Sequence, residues 1–170
     1  MSELESRAGE AAAIAQAYSN YAEGLDSKNG PRVRRCFADE IYLDYGPMID
    51  PGGSPDQPRA ADDWMKMLQG VINGFDVTRH TITNHRFSFD GDSITCRAYL
   101  IADHVIFADP EVPIAGPEDV ATVIGEYTNT YRRDSDGWKI HRSRLVIHYS
   151  TGNGDLFVTA AQRVAEQQRG

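Results

Sequence analysis

Cysteine is scarce in this chain of 170 residues: there are two, Cys36 and Cys96, far apart and forming no C-x-x-C pair. That spacing offers neither a zinc cluster nor a redox pair, and both read as buried free thiols of a reducing compartment rather than as a disulfide. Basic residues are also in deficit, 17 Lys and Arg against 25 Asp and Glu, which leaves a formal net charge of −8. A surface of that sign repels phosphate backbones, so nucleic acid is excluded as the expected partner. No apolar run approaches bilayer length, so no membrane partner is expected. The acidic start Met1-Ser2-Glu3-Leu4-Glu5 lacks the basic and apolar stretches of a signal peptide, and a cytoplasmic location follows as the expectation. There is no G-x-G-x-x-G after a strand, no P-loop and no G-x-S-x-G, which removes nucleotide binding and a serine nucleophile. Five histidines are present, yet His80, His85, His104, His141 and His148 show no H-x-H or H-E-x-x-H spacing. No metal site and no cofactor are expected.

What is present suffices for a core: 41% of residues are hydrophobic, in a length suited to one domain spanning 1–170. From about Arg7 to Ser27, Ile14, Ala17, Tyr18, Tyr21 and Leu25 recur at helical spacing. Asp26 falls in the last turn of this helix, about 100° round from the centre of the apolar stripe, on the flank shared with Ala22. Lys28-Asn29-Gly30-Pro31 ends it and starts a short second helix through Phe37. A first strand is expected over Ile41–Gly46, then a Pro- and Gly-rich loop from Pro47 to Pro58 of the kind that covers a site. A third helix runs from Ala60 to Asn73. Long strands follow over Thr78–Phe89, Ser93–Ala108, Val120–Arg133 and Trp138–Tyr149, joined by hairpin turns such as Asp90-Gly91-Asp92. A last helix over Asp155–Gln168 closes one end of the core or forms a subunit contact. The expected fold class is therefore α+β, N-terminal helices against a mostly antiparallel sheet.

Two distant residues carry the candidate chemistry. His80 opens the first long strand and Asp26 ends the first helix. A carboxylate beside an imidazole fixes its tautomer and stabilises the imidazolium, so the pair can take a proton at neutral pH. In the second long strand the two-residue period puts Ile94, Cys96, Ala98, Leu100, Ala102 and His104 on the inner face, and the small residues there leave room for a cavity. Tyr127 and Tyr131 share a face with Asn129 and read as core or pocket wall. On a regular strand His80 and His85 differ in parity and point to opposite faces. Arg32, Arg34 and Arg35 read as a solvated charge run, and Arg142 and Arg144 as a solvated or subunit-facing row.

Several short stretches carry a resemblance: Ile14-Ala15-Gln16-Ala17-Tyr18 leading to Gly24-Leu25-Asp26, Phe37-Ala38-Asp39-Glu40, and Arg79-His80-Thr81-Ile82-Thr83-Asn84. Gly125-Glu126-Tyr127-Thr128-Asn129-Thr130-Tyr131 and Asp136-Gly137-Trp138-Lys139-Ile140 add to it. With them the chain resembles the SnoaL-like branch of the nuclear transport factor two-like superfamily. That branch includes scytalone dehydratase, hexachlorocyclohexane dehydrochlorinase and bile-acid dehydratase. The resemblance implies a cone-shaped α+β barrel, a homodimer or homotrimer, and a cofactor-independent lyase that removes a proton from a small, mostly apolar cyclic substrate with loss of water or another leaving group. It implies His80 and Asp26 as the catalytic pair, with His104 and Tyr45 to polarise a carbonyl or protonate a departing hydroxyl. Tyr21, Trp64, Leu100, Tyr127 and Asn129 would line the pocket. Leu25 stands where scytalone dehydratase has a tyrosine before the acid, so the resemblance does not fix the substrate or how its leaving group is held. The alternatives are an isomerase or cyclase acting on a polyketide- or steroid-like ketone, and a non-catalytic small subunit of a ring-hydroxylating dioxygenase.

Overall fold

A computed structural model describes residues 2–170. The order of elements is α1 (Glu3–Asp26), α2 (Gly30–Arg34), β1 (Phe37–Asp44), α3 (Gly46–Ile49), β2 (Arg59–Ala60), α4 (Ala61–Ile72), β3 (Val77–Asp90), β4 (Ser93–Val105), β5 (Val120–Asp134), β6 (Gly137–Gly152) and α5 (Leu156–Gln167). Helix α1 begins four residues before the apolar pattern does, because Ser2 and Glu5 close a capping box on its first turn. It buries Ile14, Tyr18, Tyr21 and Leu25. Removing a side chain such as Ile14 from water contributes about 2 kcal/mol. Lys28 then turns the chain with φ +54°, and the Asn29 side chain caps α2 by accepting from the Arg32 N–H.

The sheet runs β2-β1-β6-β5-β4-β3 and is open, with β2 and β3 at its edges. All neighbours pair antiparallel except β1 and β6, which are parallel. α1 packs on the inner face of this open sheet, with Tyr18 against Tyr127 and Tyr131 and Tyr21 against Phe37 and Tyr127. β3 and β4 meet at a two-residue turn in which Gly91 takes φ +55°. The strand faces follow the two-residue period along β4, where Ile94, Cys96, Ala98, Leu100, Ala102 and His104 are all buried. Both cysteines are free and buried.

The expected long loop is partly ordered by secondary structure. α3 takes up its start and β2 follows its end, and the Arg59 guanidinium pairs with the buried Asp50 carboxylate at 2.9 Å across it. Helix α5 closes one end of the molecule over a second core of Phe75, Ile106, Ala121, Leu156 and Ala160. The chain at Gly74 passes so close to α5 that a Cβ there would sit 2.0 Å from the Ala160 carbonyl oxygen, so only glycine fits this crossing. The crossing matters because it sets where β3, and hence His80, begins.

Candidate active site

The last turn of α1 and the first residues of β3 meet at one carboxylate. Asp26 Oδ1 lies 2.7 Å from His80 Nδ1, Oδ2 accepts the His80 main-chain N–H at 3.0 Å, and the Thr78 hydroxyl donates to Oδ1 at 3.0 Å. An acid at a helix C-terminus opposes the macrodipole. Three donors from β3 compensate it. Burial alone would push the Asp26 carboxyl up, but the ring and main-chain hydrogen bonds from His80, its charge, and the Thr78 hydroxyl outweigh burial and hold it below the ordinary aspartate range. The carboxylate is therefore ionised at neutral pH. It draws the imidazole proton to Nδ1, a tautomer assigned from this hydrogen bond, which leaves the Nε2 lone pair for chemistry. The two side chains are 5% and 13% exposed, dry enough for the interaction to be little screened by water.

His104 sits beside this pair, as the strand register requires. Thr78 pairs with His104 and His80 with Ala102, so the two histidines are diagonal neighbours on one face, with ring centroids 5.5 Å apart. Phe75 at 5.0 Å and Phe157 at 4.7 Å close over the His104 ring. Burial, and then the charge of His80, push its pKa down to about 4. Its Nδ1 lies 3.3 Å from the Ala121 carbonyl, which can only accept, so that nitrogen carries the proton of a neutral ring.

The space next to the pair is a groove of about 590 Å³ between α1 and the edge strand β3. Tyr18, Ala22 and Asp26, four residues apart on the helix, form one wall, and Thr78, His80 and Ile82, two apart on the strand, form the other. Glu23, Asp76 and Arg79 stand at its charged margin. The sequence placed the cavity on the inner face of β4, beside the alanines. In the structure aromatic rings take that room: the Tyr18 hydroxyl reaches the Cys96 carbonyl at 2.9 Å, and its ring packs against Tyr127 and Tyr131.

Accordingly, the expected lining residues are core and not groove. Tyr21 packs edge-on between Phe37 and Tyr127, Trp64 lies against Tyr45 with ring centroids 5.1 Å apart, and Leu100 is 2% exposed. Tyr127 and Asn129 are buried with them. The expected catalytic Tyr45 is not brought to His80. Its hydroxyl is bonded to Ser143 Oγ at 2.8 Å, and Ser143 donates in turn to Asn129 Oδ1 at 2.6 Å, a buried polar chain across β6 and β5. Burial drives the Tyr45 hydroxyl pKa far up, so it stays protonated. Tyr45 also borders a separate hollow of about 230 Å³ under the loop through Asp50 and Pro55.

Thr78 and Ser143 were missed from sequence, although each had a signal. Thr78 shares the two-residue parity of His80, and Ser143 lies between two outward arginines: Arg142 stacks on Tyr42 and Arg144 pairs with Asp44. His85 is a correction of another kind. Asn84 adopts φ +57° and the register with β4 shifts between Thr83 and Arg86, a bulge that restores His85 to the inner side, where its ring meets Tyr18 at 5.1 Å. Among the described residues no three His, Cys, Asp or Glu side chains cluster to hold a metal ion.

An α+β cone with an acid and an imidazole joined where the first helix ends and a long strand starts defines a class of protein. The sequence profile of the SnoaL-like domain matches residues 6–144, and the chain belongs to that family. Among solved structures it is similar to the Kfla4162 protein from Kribbella flavida, at 28% identity and a TM-score of 0.74, covering 89% of this chain and 99% of that one. It is similar in fold to a scytalone dehydratase-like protein from Novosphingobium aromaticivorans, at 20% identity and a TM-score of 0.68, covering 88% and 95%. A hexachlorocyclohexane dehydrochlorinase, LinA type 2, shares the fold at 19% identity and a TM-score of 0.68, covering 89% and 93%. Among curated proteins none matches the chain. Among the described residues no helix is long and apolar enough to cross a membrane.

Proposed function

We propose that the protein is a cofactor-independent lyase that uses Asp26 and His80 to eliminate water, or a comparable leaving group, from a small and mostly apolar cyclic substrate. The observation that carries this reading is the 2.7 Å contact of Asp26 Oδ1 with His80 Nδ1 on the wall of an open groove. With the substrate against Tyr18, Ala22 and Ile82, His80 Nε2 takes a proton from a carbon acidified by a neighbouring carbonyl or comparable group. The C–H electrons form the new double bond and the C–O bond breaks toward oxygen. Asp26 holds the ring in place and stabilises the imidazolium while it lasts.

The proton then has to reach the departing hydroxyl. His104 is neutral, its proton sits on Nδ1 facing the Ala121 carbonyl, and Tyr45 is occupied by Ser143 away from the pair. The imidazolium of His80 is therefore the acid as well as the base, returning the proton it took so that substrate yields alkene and water with no net change in the enzyme. The names of the dehydratase-like and dehydrochlorinase neighbours are consistent with elimination as the reaction type.

The test is turnover of a panel of hydroxylated cyclic ketones, read by mass spectrometry as loss of water, for wild type and for His80→Ala. Turnover by wild type that drops in the variant supports the reading, and equal turnover by both removes His80 as the base.

A further inference from the structure

The opposite flank of α1 borders a second groove of about 620 Å³, lined by Arg32, Arg35, Arg133 and Lys139 with Asp136 as its one acid. Such a concentration of cations stands out in a chain whose net charge is −8. Two of the four are already engaged. Arg32 forms a two-pronged pair with Glu23 at 2.7 Å, and Lys139 bonds Asp136 at 2.9 Å and the Arg35 carbonyl at 2.7 Å. Arg35 and Arg133 have no carboxylate partner among the described residues, and the Arg133 guanidinium rests on the face of Trp138, 5.1 Å from the ring centre. The indole N–H of Trp138 is buried without an acceptor. Apolar wall is supplied by the indole and by Ala17.

We propose that this groove is a binding site for a small organic anion, a phosphate or carboxylate carried on a flat apolar body. The anionic group sits between the guanidiniums of Arg35 and Arg133, whose forked donors match a planar or tetrahedral oxyanion, with the third proton of the Lys139 ammonium as a further donor. The apolar body lies along Trp138 and Ala17. A groove of this volume falls in the usual range for small-ligand sites, roughly 300–1,000 Å³. It has no lining residue in common with the groove of His80, although both border α1 and the Arg32–Glu23 pair runs between them.

The chain has two tryptophans, so the uniformly ¹⁵N-labelled protein gives two indole N–H signals, assigned with Trp138→Phe. Phenyl phosphate, benzoate and inorganic phosphate are titrated separately at constant ionic strength, with chloride as the control. The expected result is a saturable shift of the Trp138 signal with an unmoved Trp64 signal, tightest for an anion with a ring. Arg35→Gln and Arg133→Gln each weaken binding about tenfold, the size of one charge-assisted hydrogen bond. Both arginines are exposed, and the Trp64 signal, from a side chain in the core, reports that each variant is folded. A shift that never saturates and matches chloride, or saturable binding unchanged in both variants, would overturn the proposal. Preference for the phosphate or the benzoate identifies the head group.

Discussion

Asp26 holds His80 by two atoms at once, the main-chain nitrogen at 3.0 Å and the ring Nδ1 at 2.7 Å. The strand and the imbedded ring are thus fixed to the helix by one carboxylate, and the geometry of the imidazole does not depend on side-chain packing alone. Asp26→Asn would keep the shape but replace an anion by a neutral amide that no longer favours the imidazolium. A fall in kcat of about 10²- to 10⁴-fold is expected together with a loss of stability, because the amide cannot accept from all three donors as the carboxylate does; steady-state kinetics beside thermal unfolding reads both.

Thr78 is predicted to act as a positioning residue through Asp26. Thr78→Val keeps the shape of a side chain that is 2% exposed while removing the hydroxyl that donates to Asp26 at 3.0 Å. A loss of about 1 kcal/mol in stability is expected. The distinguishing readout is kinetic: kcat falls with KM unchanged, and Thr78→Ser restores it. A variant that loses only stability would make Thr78 purely structural.

Acid should weaken the fold in a defined window. His104 titrates at about 4 in the folded protein against an ordinary 6.5. Because the native ring stays neutral where the unfolded one takes a proton, stability is full above 6.5 and declines as pH falls toward 4, by on the order of 3 kcal/mol. Asp26, whose folded pKa is lowered below 3.8, contributes stability above that value that is lost only at still lower pH. Urea unfolding across this range should show the first decline flattened in His104→Phe. An unchanged slope in that variant would assign the decline elsewhere.

The bulge at Asn84 makes a backbone prediction. At φ +57°, Asn84→Ala should cost about 1 kcal/mol, whereas Asn84→Gly should be nearly neutral. Denaturant midpoints compare the two. Equal effects would show that the left-handed backbone is not what asparagine supplies here.

Ser143→Ala removes the hydroxyl that bonds Tyr45 and donates to Asn129 Oδ1 in the core. A stability loss of about 1–3 kcal/mol is expected, with turnover by the folded fraction unchanged. Loss of turnover at full folding would return Tyr45 to the chemistry.

Much of this was legible in the sequence. Helical spacing from Ile14 to Leu25 and the hairpin turns near Gly91 and Gly137 gave the elements, and the burial of His104 follows from the parity of β4. The meeting of Asp26 with His80 needed more, because nothing local joins residues so far apart: their chemistry made them a candidate pair, and the family resemblance supported their meeting. Parity failed at His85 because one residue in a left-handed conformation reverses every face beyond it. The site's location failed for a different reason. The alanines of β4 leave room, but which neighbour fills it depends on how far Tyr18 reaches across from α1, a matter of packing that no spacing rule carries.

Removal of a proton from carbon by His80 is the step on which the proposed elimination rests. The most direct measurement is the isotope effect on kcat/KM for a turned-over cyclic hydroxyketone deuterated at the carbon next to the carbonyl. Slower turnover of the deuterated compound by wild type and loss of turnover in His80→Ala are expected. Turnover by His80→Ala at the wild-type rate, with the isotope effect retained, would contradict it.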